Sequence, residues 1–88
     1  MSAASYTVTV SRAALRSIAA VGDAKIRARI LARIEDLAEN PRPAGTLKLR
    51  GSPYYRIRQG DYRIIYSIDD GVLSVEVVDV GHRSQVYR

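Results

Sequence analysis

Two clusters of side chains in this sequence could do chemistry together. Arg56, Arg58 and Arg63 fall within Lys48 to Ile68, KLRGSPYYRIRQGDYRIIYSI, and His82, Arg83 and Tyr87 fall within the tail GHRSQVYR. A guanidinium is a planar, permanently charged donor that meets phosphate oxygens as a fork, so four of them suggest a phosphodiester rather than a neutral substrate. They can stabilise charge that builds up on phosphorus in a transition state, but they cannot shuttle protons. That work is left to His82, Tyr87 and scattered carboxylates. A tyrosine beside several arginines has its phenolate favoured and could act as a base, while His82 could be base or acid near neutral pH. RNA suits such a set because its 2′-hydroxyl is already a nucleophile. Cleavage then needs alignment, a base, charge stabilisation and an acid, with no metal or other cofactor. Lys48 and Arg50 stand nearby as further RNA-binding cations.

The element that must position these groups is a β-hairpin. Gly60-Asp61 between two alternating runs reads as a two-residue turn of a primed type. The register follows: Gln59 opposite Tyr62, Arg58 opposite Arg63, Ile57 opposite Ile64, Arg56 opposite Ile65 and Tyr55 opposite Tyr66. Side chains alternate between faces, so Tyr55, Ile57, Ile64, Tyr66 and Ile68 can cover a core while Arg56, Arg58 and Arg63 share the other side. A single exposed arginine is ordinarily a solvated side chain. Like charges directly opposite on a ladder are destabilising, and three arginines on one face with two of them paired ask for an anion.

The remaining elements follow from periodicity. Tyr6 to Val10 alternates and is rich in β-branched residues, a strand with Tyr6, Val8 and Val10 inward. Ser11 suits a helix N-cap, with Leu15, Ile18 and Ala19 on one stripe and Gly22 ending the helix. Asp23 caps a second helix with Ile26, Ile30, Ile34, Leu37 and Ala38 inward, stopped by Asn40-Pro41. Thr46 to Arg50 is a short strand closed by Gly51-Ser-Pro53. Asp70-Gly71 centres a second tight turn, returning Leu73 to Val80 with Leu73 opposite Ile68, Val75 opposite Tyr66 and Val77 opposite Ile64. This register places Val78 beside Arg63 and, continued, brings His82 onto the arginine face. The fold class expected is α+β: a small, curled antiparallel sheet with an N-terminal helical hairpin on one face and the other face open.

Length and composition bound the rest. Eighty-eight residues make one domain, 1–88, with a modest core. The absence of cysteine and the single histidine argue against a disulfide framework or a protein-built metal site. No apolar run is long enough to span a membrane, and the start lacks a signal-peptide layout, so a cytoplasmic protein without a membrane partner is expected. The net charge is +5, and residues 41–68 concentrate it with six basic side chains against Asp61 alone. That central field points to a polyanion or an acidic protein partner.

The segments K-L-R-G, Y-R-I-R, G-D-Y-R-I-I-Y and G-H-R-S-Q-V-Y-R resemble the RelE/ParE toxin superfamily, and its RelE branch of mRNA interferases most of all. The similarity covers almost the whole chain. It implies a RelE-like fold and the toxin of a type II toxin–antitoxin pair: a ribosome-dependent endoribonuclease that cuts mRNA in the A site by 2′-hydroxyl attack and so inhibits translation. It also implies a cognate antitoxin, small, acidic and partly disordered, together with ribosome and mRNA as partners and a higher-order complex on operator DNA. The positions matching the family's catalytic set are Arg56, Arg58, Arg63, Arg83 and Tyr87. Better studied members carry lysines in the central pair. Arginine cannot give up a proton as lysine can, so His82 becomes a candidate for that role. Two alternatives stay open: a ParE-like toxin that inhibits DNA gyrase without chemistry of its own, and an inactive remnant that only binds its antitoxin.

Overall fold

The computed structural model describes residues 5–84. Seven elements occur in the order β1 (Thr7–Val10), α1 (Arg12–Ala19), α2 (Ala24–Asp36), β2 (Leu47–Lys48), β3 (Tyr54–Gln59), β4 (Tyr62–Asp69) and β5 (Ser74–His82). The five strands form one sheet in the order β1-β5-β4-β3-β2. Strands β2 to β5 run antiparallel to their neighbours, and β1 joins the far edge parallel to β5. The sheet is therefore mixed rather than wholly antiparallel: the helical pair carries the chain from β1 at one edge to β2 at the other, and the chain returns through β3 and β4 to β5 before β5 meets β1.

Each helix starts where a side chain can take up free backbone donors. Ser11 Oγ accepts from Ala14 N–H at 3.1 Å, and Asp23 Oδ1 accepts from Lys25 and Ile26 N–H at 2.8 and 3.2 Å. The Ser11 hydroxyl also donates to the Val78 carbonyl of β5 at 3.0 Å. This second bond fixes the rotation of α1. Ala14 and Ile18, four residues apart, are buried, while Leu15 is 53% exposed and Ala19 is also exposed, so the inward stripe differs from the expected one. The small Ala14 faces the interior, and Leu15 lies a third of a turn away. In α2 Ile30 and Ile34 are buried as expected, with Leu37 buried at its C-cap, while Ile26 packs against the core and Ala38 is half-buried.

The core lies between the helices and the sheet face carrying Ile57, Ile64, Tyr66, Val75, Val77 and Val80. The hairpin register is the one expected at all five pairs from Tyr55–Tyr66 to Gln59–Tyr62. Gly60 sits at φ +61 at the first turn position, where a side chain would be strained. The second turn differs. Ile68 pairs with Val75 rather than Leu73, and Tyr66 pairs with Val77 rather than Val75. The connection spans residues 70–73, with Leu73 at φ +52. A bulge then skips Val78, so Ile65 faces Asp79, Ile64 faces Val80 and Arg63 faces Gly81. A bulge inserts one extra residue and inverts the alternation beyond it. Val80 consequently turns into the core, 2% exposed, instead of standing on the open face.

Loop 41–46 is tied to the helix-side face by tyrosines. Tyr66 OH donates to the Pro41 carbonyl at 2.8 Å, and its ring stacks on Tyr55 at 5.9 Å. Arg42 lies over the Tyr55 ring and forms an ion pair with Asp70 at 2.9 Å, and Tyr6 OH donates to the same carboxylate at 2.6 Å. Those partners hold the Asp70 carboxyl down at about 2, Arg42 contributing most.

Candidate nucleic-acid interface

The hairpin register places Arg56 and Arg58 on one face of β3 and Arg63 on the same face of β4, directly opposite Arg58. Arg83 joins them because its backbone N–H donates to the Asp61 carbonyl at 2.8 Å, pinning the end of β5 to the hairpin turn. Together Arg58, Arg63 and Arg83 line a small cleft of about 60 Å³ with Gly60, Asp61 and Tyr62. Gly81, facing Arg63 across the ladder, adds no side chain beside it.

The electrostatics of this face are unbalanced. The Nε atoms of Arg56 and Arg63 are buried and have no hydrogen-bond partner among the described residues. Such groups cost free energy unless something accepts from them. Partial burial pushes the Arg56 guanidinium below its ordinary pKa, and repulsion from Arg63 and Arg58 adds to the shift. An anion on this face would offset the repulsion among the three guanidinium groups. Asp79, half-buried on the same face opposite Ile65, accepts a 2.9 Å bond from the adjacent Val80 N–H.

His82 is not on this face. The bulge at Val78 inverts its side, so it pairs with Tyr62 and meets that ring edge-on at 5.6 Å. It lines a cleft of about 410 Å³ on the helix side with Ile26, Arg29, Gln59 and Tyr62. Its Nδ1 lies 3.0 Å from Ser84 Oγ and accepts from Ser84 N–H at 3.3 Å. Lys48 is displaced as well. It pairs with Tyr55, shares that ring's helix-side face, lies over the ring at 5.7 Å and donates to the Ser52 carbonyl at 2.6 Å. Arg50 falls in the β2–β3 connection, at the opposite end of β3 from the arginine cleft. Tyr87 lies outside the described residues. The sequence reading missed Asp79 and Tyr54 on the arginine face. The bulge hid the first, whereas simple alternation from Arg56 reaches the second.

Comparison with known proteins gives this face a context. Residues 8–87 match the ParE toxin family of type II toxin–antitoxin systems, parDE. The chain belongs to that family. It is 31% identical over 84 residues to the toxin RelE of Mycobacterium tuberculosis, covering 94% of this chain and 87% of the relative. It is 33% identical over 89 residues to the toxin RelG of the same organism, covering 94% and 97%. The solved toxin–antitoxin complex RelBE2 from M. tuberculosis superimposes with a TM-score of 0.76 at 28% identity, covering 90% of this chain and 99% of that one. The superfamily expected from the G-D-Y-R and G-H-R segments is the one found. The protein is a RelE-like toxin of the type II kind, and its α+β architecture is that of RelE structures.

Proposed function

We propose that this toxin is a ribosome-dependent endoribonuclease that cuts mRNA in the A site and so stops translation in the cytoplasm. The observation that carries the reading is the convergence of Arg58, Arg63 and Arg83 on one cleft. Arg56 stands beside it with a buried, unpartnered Nε. In the reaction the 2′-oxygen attacks the adjacent phosphorus as the bond from phosphorus to the 5′-oxygen breaks, leaving a 2′,3′-cyclic phosphate. A base takes the 2′ proton, and the departing 5′-oxygen receives one. The arginines hold the phosphate and offset the charge gathering on its oxygens. They move no proton. With His82 on the other face, base chemistry is assigned to Tyr87, the position that the resemblance of the G-H-R-S-Q-V-Y segment to the RelE branch offers for it.

The partner proposed is a cognate acidic antitoxin that covers the basic face, and toxin and antitoxin together assemble on operator DNA. Relatives solved as RelBE and RelB–RelE complexes support the antitoxin. The test is cleavage of mRNA on programmed ribosomes, with 5′ ends mapped. Replacing Arg63 and Tyr87 together by alanine removes cleavage and growth arrest while antitoxin binding persists; loss of one such donor alone costs on the order of 10²–10³ in rate. Full toxicity in the double variant rejects the assignment. The match to the ParE family favours one competing reading, inhibition of DNA gyrase by binding. Growth arrest with stalled gyrase and intact mRNA would establish it instead.

A further inference from the structure

We propose that the open face continues from the arginine cleft into a nucleobase-stacking subsite, with the Tyr54 ring as its platform and Leu47 as its apolar edge. The RNA strand would then lie along β3. The proposal rests on the nuclease reading and specifies where that reading places the bases.

Tyr54 pairs with Ser67 and Leu47 pairs with Arg56, so both share the face of Arg56, Arg58 and Arg63. Ile65, 3% exposed, lies on that face too, opposite Arg56. The other described tyrosines are engaged. Tyr55 and Tyr66 stack on each other, Tyr62 meets His82, and Tyr6 bonds Asp70. Among the described residues the Tyr54 ring has no aromatic, cationic or hydrogen-bond partner. Nor does it belong to the helix-covered core cluster. Leu47 beside it is 49% exposed.

Strand rise puts Tyr54, Arg56 and Arg58 about 7 Å apart in succession, on the order of one nucleotide of extended chain per step. A row of cationic donors ending in a half-buried ring with no aromatic or cationic partner among the described residues has the composition of single-strand sites, where phosphates meet arginine and base faces meet tyrosine. What favours RNA as the occupant is the regular alternation along one strand face, in which guanidinium groups at the spacing of successive phosphates lead to a ring at the spacing of a base.

The experiment measures kcat and KM for mRNA cleavage on programmed ribosomes. Tyr54→Ala raises KM about 5- to 150-fold, the range for one lost base–aromatic stack, and Tyr54→Phe stays within about twofold. Tyr54→Leu keeps apolar volume but no π face and shows the same loss as alanine, so it carries the test if the alanine variant melts. Making one codon nucleotide abasic abolishes the difference between wild type and Tyr54→Ala at a single position. Normal KM in both Tyr54→Ala and Tyr54→Leu, with a wild type that cuts, overturns the subsite and leaves the nuclease reading standing. Weakened antitoxin binding with normal cleavage makes the ledge a protein surface and also overturns it. A wild type that cuts no ribosome-bound mRNA sinks the nuclease reading and this proposal with it.

Discussion

Ser11 does two jobs with one hydroxyl, and substitutions can separate them. As an acceptor it caps α1 through Ala14 N–H at 3.1 Å; as a donor it binds the Val78 carbonyl, at the bulge of β5, at 3.0 Å. Removing a serine cap costs about 1 kcal/mol. Leaving a part-buried carbonyl unpaired costs about another 1 kcal/mol. Ser11→Ala should therefore destabilise the fold by about 2 kcal/mol, which lowers the melting temperature by about 8–16 °C for a domain of this size. Ser11→Thr keeps both functions and should lose less than about 0.5 kcal/mol. Ser11→Asp still caps as well as serine, but a carboxylate cannot donate to Val78, so it should lose about 1 kcal/mol, the share of the tie alone. Urea and thermal melts followed by circular dichroism measure all three. If Ser11→Asp matches wild type, the tie to the bulge carries no energy. If Ser11→Ala costs under about 0.5 kcal/mol, neither bond does.

Three further outcomes follow from the geometry. The Asp70 carboxyl is lowered to about 2 from 3.8, first by Arg42 and then by Tyr6. A depressed folded pKa contributes stability above the unfolded value and loses it as pH falls from about 4 to about 2, so melts of Asp70→Asn over that window should show a flatter decline than wild type. Tyr66→Phe leaves the Pro41 carbonyl without its 2.8 Å partner and should cost about 1–3 kcal/mol by urea titration, with loop 41–46 exchanging hydrogen faster. Gly60→Ala meets no steric obstacle but forces alanine to φ +61, which should cost about 1–2 kcal/mol, and Gly60→Asn should cost less because asparagine tolerates that conformation.

The central hairpin was legible because a two-residue turn leaves only one register once Gly60 takes the left-handed position. The strand after it was not. Asp70-Gly71 reads as a two-residue turn, yet the chain uses four residues and sets Leu73 at φ +52, a conformation leucine disfavours and therefore does not advertise. Val78 hides its bulge in the same way, inside a run of strand-forming valines. The position of Lys48 depended on a strand of two residues whose register no turn signal sets. For α1, hydrophobicity ranked Leu15 above Ala14, whereas the Ser11 tie to β5 chose the alanine side. Local chemistry written in glycine, serine and aspartate could be read; choices made by packing between distant segments could not.

One inserted residue also divides the labour of the tail. Without the Val78 bulge, alternation along β5 would put Val80 on the open face and His82 among the arginines. With it, Val80 enters the core, the imidazole crosses to the helix side, and Arg83 is drawn back to the cleft by the Asp61 carbonyl. The described part of the cleft then holds guanidinium groups with Asp61 and Tyr62 at its rim. Such a set is suited to gripping phosphate at any physiological pH, because arginine keeps its charge throughout. On the proposed nuclease reading, any pH dependence of cleavage comes from proton donors and acceptors outside the arginine set. Exchanging His82 for glutamine should leave the pH–rate profile unchanged, whereas exchanging Tyr87 for phenylalanine should remove the rise in rate with pH that a general base produces. A profile that follows His82 would mean that the imidazole reaches the phosphate after all, and that the register of β5 is not the one that acts on RNA.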